Sequence, residues 1–237
     1  MPGALQGKSA VVTGASRGIG VGIAIALASA GARVALVART RAELEKRAKE
    51  ISNGAFAVQC DLTAREEVDR AAGEIPKELG DAPDILVNNA GVFEMSLSYE
   101  MEKGLFERML DINLIGPFRF AHAFLPAMKK RGSGDIVGIG SIADRKVFEG
   151  NTAYSASKFG LRAMHEVWRE EFKGTGLRSI LVSPASVDTP LWDTVNGSSG
   201  PPNRANMLRA DAVVAAVMFA LTQPADVNVY ELRLAHS

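Results

Sequence analysis

The sequence predicts an α/β fold in which helices cover a parallel sheet, organised as a single domain over residues 1–237. Short apolar runs rich in β-branched residues recur along the chain, and amphipathic segments of helical period lie between them. No linker or internal repeat interrupts this alternation. Such an order favours right-handed crossovers and therefore parallel strands. With 237 residues and 47% hydrophobic content, the chain can bury one sizeable core.

Seven apolar runs are predicted as strands, most of them buried on both faces because their apolar residues are continuous. Helices are predicted between them, including residues 41–51 and 65–75, whose charges cluster on one side. Residues 192–209 are rich in Gly, Ser, Pro and Asn, which predicts a flexible loop. The strands are SAVVTG (9–14), ARVALVA (32–38), GAFAVQC (54–60), DILVNNA (84–90), DIVGIGS (135–141), RSILVSP (178–184) and VNVYELRL (227–234).

Composition and charge exclude several classes of function. The formal net charge is zero, and its 27 basic and 27 acidic residues are interspersed, so no nucleic-acid partner is expected. Cys60 is the single cysteine, which rules out an internal disulfide and a multi-cysteine metal cluster and fits a cytoplasmic location. No apolar run reaches the roughly 18 residues of a membrane span. The first dozen residues lack a signal-peptide pattern, so a soluble protein that is not exported is expected.

A glycine-rich turn follows the first predicted strand and opens a helix. In TGASRGIG (13–20), Gly14, Gly18 and Gly20 allow a tight turn, a close backbone approach to a ligand and close packing of helix on strand. Backbone N–H groups at the start of that helix can hold a pyrophosphate. Because the turn lies in the strand-turn-helix context that the motif requires, it predicts a Rossmann-type doubly wound sheet that binds a dinucleotide, with helices on both faces.

The end of the second strand favours NADP(H) over NAD(H). An acidic residue there would accept hydrogen bonds from the ribose 2′-hydroxyl of NAD, but the strand ends in Ala38-Arg39-Thr40. Arg17 lies inside the glycine turn, so two guanidinium groups can converge on the 2′-phosphate of NADP. Either arginine alone would also suit an ordinary solvated surface.

Tyr154 precedes Lys158 by four residues within AYSASKFG (153–160). If residues 151–172 form a helix, the two side chains share one face. Small neighbouring residues keep that face open. The spacing alone fits a catalytic pair and an ordinary helix surface equally well.

Several motifs in order along the chain decide between these interpretations. They are TGASRGIG (13–20), Asp61-Leu62, NNAG (88–91), Asn113 in DINLIG, Ser141 and YSASK (154–158). In this order they resemble the short-chain dehydrogenase/reductase family, in the arm that includes 3-oxoacyl-carrier-protein reductases and many carbonyl reductases. The resemblance extends from Lys8 to about Leu234, and it implies that the flexible loop at about 192–209 lies beside the substrate.

The resemblance implies a role for each of four catalytic residues. Tyr154 would act as general acid in reduction and general base in oxidation, with its pKa lowered by Lys158, which also holds the nicotinamide ribose. Ser141 would position and polarise the substrate carbonyl. Asn113 would help hold a water that relays protons to the lysine.

The same resemblance implies a set of cofactor contacts. Asp61 could instead, or in addition, be a helix N-cap before TAREE. Ala185 stands where the family usually has glycine, and it would resist a positive φ. The implied contacts are Gly14, Ser16, Arg17, Gly18, Ile19, Gly20, Arg39, Asp61, Leu62, Asn89, Ala90, Gly91, Tyr154, Lys158, Pro184, Val187 and Thr189.

The predicted function is NADPH-dependent hydride transfer to a ketone or aldehyde carbonyl, or from a secondary alcohol in reverse. Two alternatives stay open: a 3-oxoacyl-carrier-protein reductase specifically, docking through basic residues at 108 and 129–131, and a non-catalytic NADP-binding sensor or scaffold. The expected partners are a small-molecule substrate and further copies of the chain, because the family forms dimers and often tetramers through two long helices, here about 101–131 and 151–173. No metal is expected.

Overall fold

The computed structural model of the chain describes residues 3–51, 53–194 and 203–237. Its strands are β1 (Ser9–Thr13), β2 (Arg33–Ala38), β3 (Phe56–Gln59), β4 (Ile85–Asn88), β5 (Gly134–Ile139), β6 (Leu177–Pro184), β7 (Val187–Asp188), β8 (Leu208–Arg209) and β9 (Glu231–Leu234). Seven of them form one parallel sheet in the order β3-β2-β1-β4-β5-β6-β9. The predicted single α/β domain with a parallel sheet of about seven strands is confirmed.

Helices connect these strands as right-handed crossovers require. They are α1 (Gly18–Ser29), α2 (Arg41–Glu50), α3 (Arg65–Leu79), α4 (Leu105–Leu110), α5 (Gly116–Arg131), α6 (Thr152–Glu171) and α7 (Ala210–Leu221). A π-helical turn, Asp111–Ile115, joins α4 to α5, so that residues 105–131 run as one helical segment.

Each face of the sheet carries its own apolar core. On one face, α1 and α7 bury side chains such as Ile23, Leu27 and Val217 against the strands. On the other face, α3, α5 and α6 bury a second cluster that includes Phe120 and Trp168. Because helices cover the central strands on both faces, the sequences of these strands are continuously apolar.

The order of the sheet positions the functional cleft. β1 pairs with β2 on one side and with β4 on the other, so the chain reverses its direction of winding at β1. In open parallel sheets, ligands bind beyond the carboxyl ends of the strands at this point. The glycine turn after β1 lies there.

Two predicted elements begin later in the structure than the sequence predicted. The last strand begins at Glu231 rather than at residue 227, because Val227 N–H bonds to Pro224 O (2.9 Å) in a turn. The first long helix begins at Leu105, after Gly104 adopts a φ of 88°. Both ends follow turn residues that the apolar pattern did not reveal.

Residues 195–202 of the predicted loop at 192–209 lie outside the described residues. On its near side, Pro190–Thr194 form a 3-10 helix. On its far side, Arg204–Asn206 form another, and β8 pairs with β7. The two ends of the segment are therefore held beside each other.

His165 makes stability depend on acid. It is fully buried on α6, its Nδ1 lies 2.9 Å from Ser179 Oγ, and burial followed by the charge of Arg169 lowers its pKa to about 3. In the unfolded chain an imidazole binds its proton near pH 6.5. As the pH falls below about 6.5, His165 therefore binds a proton in the unfolded chain but stays neutral in the folded chain. We expect His165 to remove roughly 1.4 kcal/mol of unfolding free energy per pH unit down to about pH 3.

Urea unfolding of His165→Gln at several pH values tests this expectation. The variant loses core packing at neutral pH, but its unfolding free energy should fall less steeply with acid than that of the wild type. His122→Gln, which changes an exposed ring, is the matched control and should keep the wild-type slope. Equal slopes for His165→Gln and wild type would show that His165 is not the group responsible.

Candidate active site

A cleft of about 1030 Å³ opens at the carboxyl ends of the central strands. Its walls are the turn after β1, the end of β2, the segments after β3, β4 and β6, the end of β5 and the start of α6. All of the site residues predicted from the sequence line this cleft except Gly20 and Asn113. Residues from seven places along the chain thus meet in one site.

The glycine turn has the conformations for which glycine is suited. Gly14 and Gly18 have φ values of 67° and 58°, in the left-handed region. A Cβ at Gly20 would lie 2.2 Å from Gly14 O, so Gly20 closes the turn from behind and does not face the cleft. The helix α1 starts at Gly18 with no side-chain cap and no acidic residue in its first turn. Its first N–H groups therefore suit an anion.

Arg17 and Arg39 lie at the same end of the cleft, and both are exposed. Neither guanidinium has a hydrogen bond or salt bridge with any residue that the structure describes. Other arginines near this end are engaged: Arg47 bonds to Ser16 O and Glu50, and Arg41 bonds to Glu45. Arg17 and Arg39 therefore keep all their donors for a ligand that carries negative charge.

Asp61 and Leu62 border the cleft after β3. The Asp61 carboxylate accepts hydrogen bonds from the backbone N–H (2.9 Å) and hydroxyl (2.8 Å) of Thr63. The helix that follows is capped by Ala64, so Asp61 stabilises a turn rather than the helix N-terminus. Leu62 is buried against Gly116.

The segment Asn89 to Gly91 ties the end of β4 to the end of β1. Asn89 Nδ2 donates to Thr13 O (2.9 Å) and Gly14 O (3.3 Å). The Thr13 hydroxyl accepts the N–H groups of Asn89 (3.1 Å) and Ala90 (3.0 Å). These bonds fix the floor of the cleft at the point where the strand order reverses.

Asn113 is buried within the π-helical turn and does not line the cleft. Its amide makes a reciprocal pair with the backbone of Val92, receiving the Val92 N–H (2.9 Å) and donating to Val92 O (3.0 Å). It also donates to Ser157 Oγ (3.1 Å), one residue before Lys158. Asn113 therefore links the segment after β4 to the helix that carries Tyr154 and Lys158.

Ser141, Tyr154 and Lys158 meet on one wall of the cleft. Lys158 Nζ lies 5.6 Å from the Tyr154 ring centroid and donates to Ile139 O (2.8 Å) at the end of β5. Ser141 Oγ accepts the Ala143 N–H (3.1 Å), which holds the hydroxyl at the start of a 3-10 turn. The predicted spacing on α6 does bring Tyr154 and Lys158 to the same face.

Tyr154 and Lys158 are the titratable groups of this wall, and burial is the main cause of the shift in the pKa of each. Burial raises the pKa of Tyr154, and the hydrogen bond with Ser141 opposes it. Burial also lowers the pKa of Lys158 to about 8, against the attraction of Asp144. A lowering of the Tyr154 pKa by Lys158 was expected from the sequence; in the structure of the chain alone the pKa is raised, because loss of solvent disfavours the phenolate more strongly.

Comparison with known proteins identifies the family. The profile described as short chain dehydrogenase matches residues 8–199. The chain belongs to the short-chain dehydrogenase family. It is 38% identical to an uncharacterized oxidoreductase of Staphylococcus saprophyticus over 233 residues, covering 96% of this chain and 97% of that one.

Solved structures agree with this assignment. An alcohol dehydrogenase from the archaeon Thermococcus sibiricus, complexed with 5-hydroxy-NADP, has a TM-score of 0.85 at 32% identity over 97% of this chain and 96% of that one. The closed form of a serine dehydrogenase complexed with NADP⁺ has a TM-score of 0.88 at 28% identity, covering 95% and 93%. This chain is thus an oxidoreductase of the short-chain dehydrogenase family.

After β6, this short-chain dehydrogenase departs from the usual glycine without backbone strain. Asn53 is the only non-glycine residue with a positive φ among those described, so Ala185 does not occupy the left-handed region. Its N–H bonds to Leu234 O (2.8 Å). Pro184, Val187 and Thr189 line the cleft, and Thr189 lies against Gly18.

Sequence reasoning missed three residues of this short-chain dehydrogenase. Phe93 makes edge-to-face contacts with Tyr154 and with Trp192, but 99 positions separate Phe93 from Trp192, so no local pattern relates them. Asp144 is fully buried beside the cleft wall that Ser141, Tyr154 and Lys158 form. Its position next to Arg145 and Lys146 gave no signal of burial, because its partner Ser183 comes from a distant strand.

The described residues contain neither a cluster of metal ligands nor a membrane-spanning helix. Over residues 3–51, 53–194 and 203–237, His, Cys, Asp and Glu side chains do not assemble into a metal site of three or more. In the same ranges, the helices lack the length and apolar content needed to span a bilayer.

Proposed function

We propose that this chain is an NADPH-dependent oxidoreductase acting on ketone or aldehyde carbonyls, or on the corresponding alcohols in reverse. The observation that carries the proposal is a single cleft whose two ends are lined by residues with different chemical properties. At one end lie a glycine turn, a helix start and two arginines that have no partner in the described part of the chain; at the other lie Ser141, Tyr154 and Lys158. Purified protein is expected to oxidise NADPH when given suitable carbonyl compounds.

Ser141, Tyr154 and Lys158, called the catalytic wall from here on, have complementary roles in this proposal. When bound, the nicotinamide supplies a hydride to the carbonyl carbon. Tyr154, whose raised pKa keeps the phenol protonated, donates its proton to the carbonyl oxygen. Ser141 donates a hydrogen bond to that oxygen and so orients it. Lys158, fixed by Ile139 O, provides positive charge beside the phenolate that forms and a donor for the ribose.

The remaining cofactor contacts follow the length of the cleft. The glycine turn with Ser16 and Ile19 would hold the pyrophosphate on backbone N–H groups, and Asp61 and Leu62 would border the adenine. Asn89, Ala90 and Gly91 would lie against the adenosine ribose. Pro184, Val187 and Thr189 would lie beside the nicotinamide amide.

The preference for NADPH rests on Arg17 and Arg39. Each is exposed, lines the cleft and has no partner among the described residues. The complexes of the two neighbouring structures with NADP-type ligands support the same choice. Two charge-assisted contacts to the 2′-phosphate would stabilise bound NADPH. NADH has no 2′-phosphate and cannot make these contacts.

An aromatic wall beside Tyr154 suggests the substrate class. The Phe93 ring centroid lies 4.8 Å from that of Tyr154 and 5.2 Å from that of Trp192, at steep angles of 76° and 64°. The Trp192 indole N–H is satisfied by Val187 O (2.9 Å), so this ring offers the cleft only apolar surface. Glu94 and Arg108 neutralise each other at 2.9 Å. We infer a carbonyl whose substituent is bulky, apolar and uncharged.

Two aldehydes of nearly equal shape test that inference. 3,3-Dimethylbutanal carries a neutral tertiary butyl group, and its trimethylammonium analogue carries a positive charge. We expect a higher kcat/KM for the neutral aldehyde, and a loss of about tenfold or more on Phe93→Ala or Trp192→Ala, because each ring buries substrate surface.

Val147→Ala is the control, because Val147 is 72% exposed and does not line the cleft. Preference for the ammonium compound would indicate cation–π recognition by the aromatic wall. That result would overturn the substrate class while leaving the proposed activity intact.

The alternative of an acyl-carrier-protein substrate stays a prediction from the sequence: Lys129 and Lys130 are exposed, but the two arginines of the predicted docking surface are engaged elsewhere. Docking of an acidic partner needs free basic residues near the cleft. Arg108 pairs with Glu94, and Arg131 bonds to Asp81 and to Ala82 O and Pro83 O. A docking surface built from these two arginines would first have to break their present contacts.

Two further features belong to the proposal. Phe118 on α5 and Val167 on α6 are 47% and 55% exposed, which supports association of two chains through these helices. The segment 192–209 starts at Trp192 in the cleft wall, which supports its role beside the substrate. A cytoplasmic location stays a prediction from the sequence.

A further inference from the structure

Asp144 is a buried carboxylate immediately behind the catalytic wall. Its side chain has no exposed surface, and Oδ2 accepts a hydrogen bond from Ser183 Oγ (2.5 Å) on β6. Oδ1 accepts one from Arg145 Nε (2.8 Å), and the same arginine pairs with Glu231 on β9. A buried carboxylate is costly unless its charge is compensated, and here both oxygens are bonded.

The backbone of Asp144 connects two further elements. Its N–H bonds to Ser141 O (3.0 Å), closing the 3-10 turn that begins with Ser141. Its carbonyl accepts a hydrogen bond from Arg162 Nε (3.0 Å) on α6, the helix that carries Tyr154 and Lys158. Asp144 therefore joins the Ser141 turn, β6 and α6 through three of its own atoms.

The space around this junction is filled. A Cβ added at Gly140 would lie 2.5 Å from Ser183 Oγ and 3.1 Å from Asp144 Oδ2. Gly140 thus lets the hydrogen-bonded pair lie directly against the end of β5, one residue before Ser141. The arrangement has little room to relax, so a change at Asp144 is transmitted to the Ser141 turn.

The charge of Asp144 acts on both titratable groups of the catalytic wall. It raises the pKa of Lys158 and the pKa of Tyr154. The other charges facing this region are Arg145, Glu231, and Arg162 with its partner Glu166. Each of them lies in an ion pair with at least one exposed or half-exposed member, whereas Asp144 is wholly enclosed.

We propose that Asp144 is a positioning residue of the active site: its hydrogen bonds fix the Ser141 turn against β6 and α6, and its enclosed negative charge lies next to the end of β5, whose Ile139 O holds Lys158. Asp144 acts through Ser141 and Lys158 and does not touch the substrate. The proposal rests on the proposed function, in which Lys158 works as an ammonium and Ser141 orients the carbonyl.

Asp144→Asn separates charge from shape, because an amide keeps the size and an acceptor for Ser183. In pH profiles of kcat/KM for carbonyl reduction, the wild type should lose activity as Lys158 deprotonates near pH 8. In the variant this alkaline limb should move to lower pH by roughly half a unit or more. The control is Asp135→Asn, which removes a carboxylate on β5 that pairs with Arg178 on β6, and it should leave the limb in place.

Ser183→Ala keeps the charge and removes one anchor of the turn. It should lower kcat several-fold while the alkaline limb stays where it is. If Asp144→Asn does not fold, as judged by circular dichroism, this second variant still tests the positioning role, and an unchanged kcat would overturn it.

An optical titration separates this proposal from the proposed function. The chain has three tyrosines, so the ionisation of Tyr154 is obtained as the ultraviolet difference between each protein and its Tyr154→Phe form. Without the Asp144 charge, Tyr154 should ionise at lower pH. Wild-type protein without any turnover would contradict the proposed function alone. An active wild type whose pH profile and tyrosine titration are both unmoved by Asp144→Asn would overturn the role of Asp144.

Discussion

Replacement of Tyr154 by phenylalanine is expected to lower NADPH-dependent carbonyl reduction by at least about 100-fold, since a positioned proton donor contributes on that scale. The variant keeps the aromatic ring that packs against Phe93 at 4.8 Å, so the shape of the cleft is preserved. It removes the hydroxyl that shares a hydrogen bond with Ser141. The carbonyl oxygen would then have no acid beside it when the hydride arrives.

Steady-state rates of NADPH oxidation measure this loss, with NADPH affinity measured separately by fluorescence. Affinity should change little, because the ring and Lys158 remain. Tyr230→Phe is the matched control, since that ring is 52% exposed and lies outside the cleft, and it should retain wild-type turnover. Turnover of Tyr154→Phe within a few-fold of wild type would refute the assigned role of Tyr154.

Combined replacement of Arg17 and Arg39 by alanine is expected to remove the preference for NADPH. Each guanidinium that contacts a phosphate contributes on the order of 1.5–3 kcal/mol, so loss of both should weaken NADPH by about 100-fold or more. NADH has no 2′-phosphate, and its affinity should stay within a few-fold. The discrimination between the two cofactors should therefore disappear.

Dissociation constants for both cofactors, measured at the same ionic strength, test this expectation. Arg41→Ala is the control, because Arg41 is exposed nearby but bonds to Glu45 within α2. It should leave both affinities unchanged. Equal weakening of NADPH and NADH by the double variant would mean that the arginines act on the fold or the pyrophosphate and not on the 2′-phosphate.

Most of the fold and the outline of the site follow from local sequence patterns. Continuous apolar runs and helical periods predict the parallel sheet, and the turn containing Gly14 and Gly18 carries its own conformational requirement. The four-residue spacing of Tyr154 and Lys158 fixes their common face once a helix is assumed. Each of these predictions depends only on residues that are close together in the sequence.

What the sequence did not predict depends on contacts between distant segments. Phe93 meets Trp192 only after the sheet has formed. Asn113 lies in a π-helical turn, which has no simple sequence signature, and is satisfied by Val92. The two basic residues that follow Asp144 in the sequence are typical of an exposed position. In the structure its carboxylate is buried and bonds to Ser183 on β6. The raised pKa of Tyr154 likewise depends on burial, which the spacing does not contain.

The central claim is that this chain transfers a hydride between a nicotinamide and a carbonyl carbon. Its most direct test uses NADPH deuterated at C4 of the nicotinamide, in both stereochemical forms, with a panel of apolar aldehydes and ketones. Mass spectrometry of the product should find one deuterium on the former carbonyl carbon for one of the two forms, and none for Tyr154→Phe above background. Tight NADPH binding with no deuterium in any product across the panel would contradict the account and favour a non-catalytic NADP-binding protein.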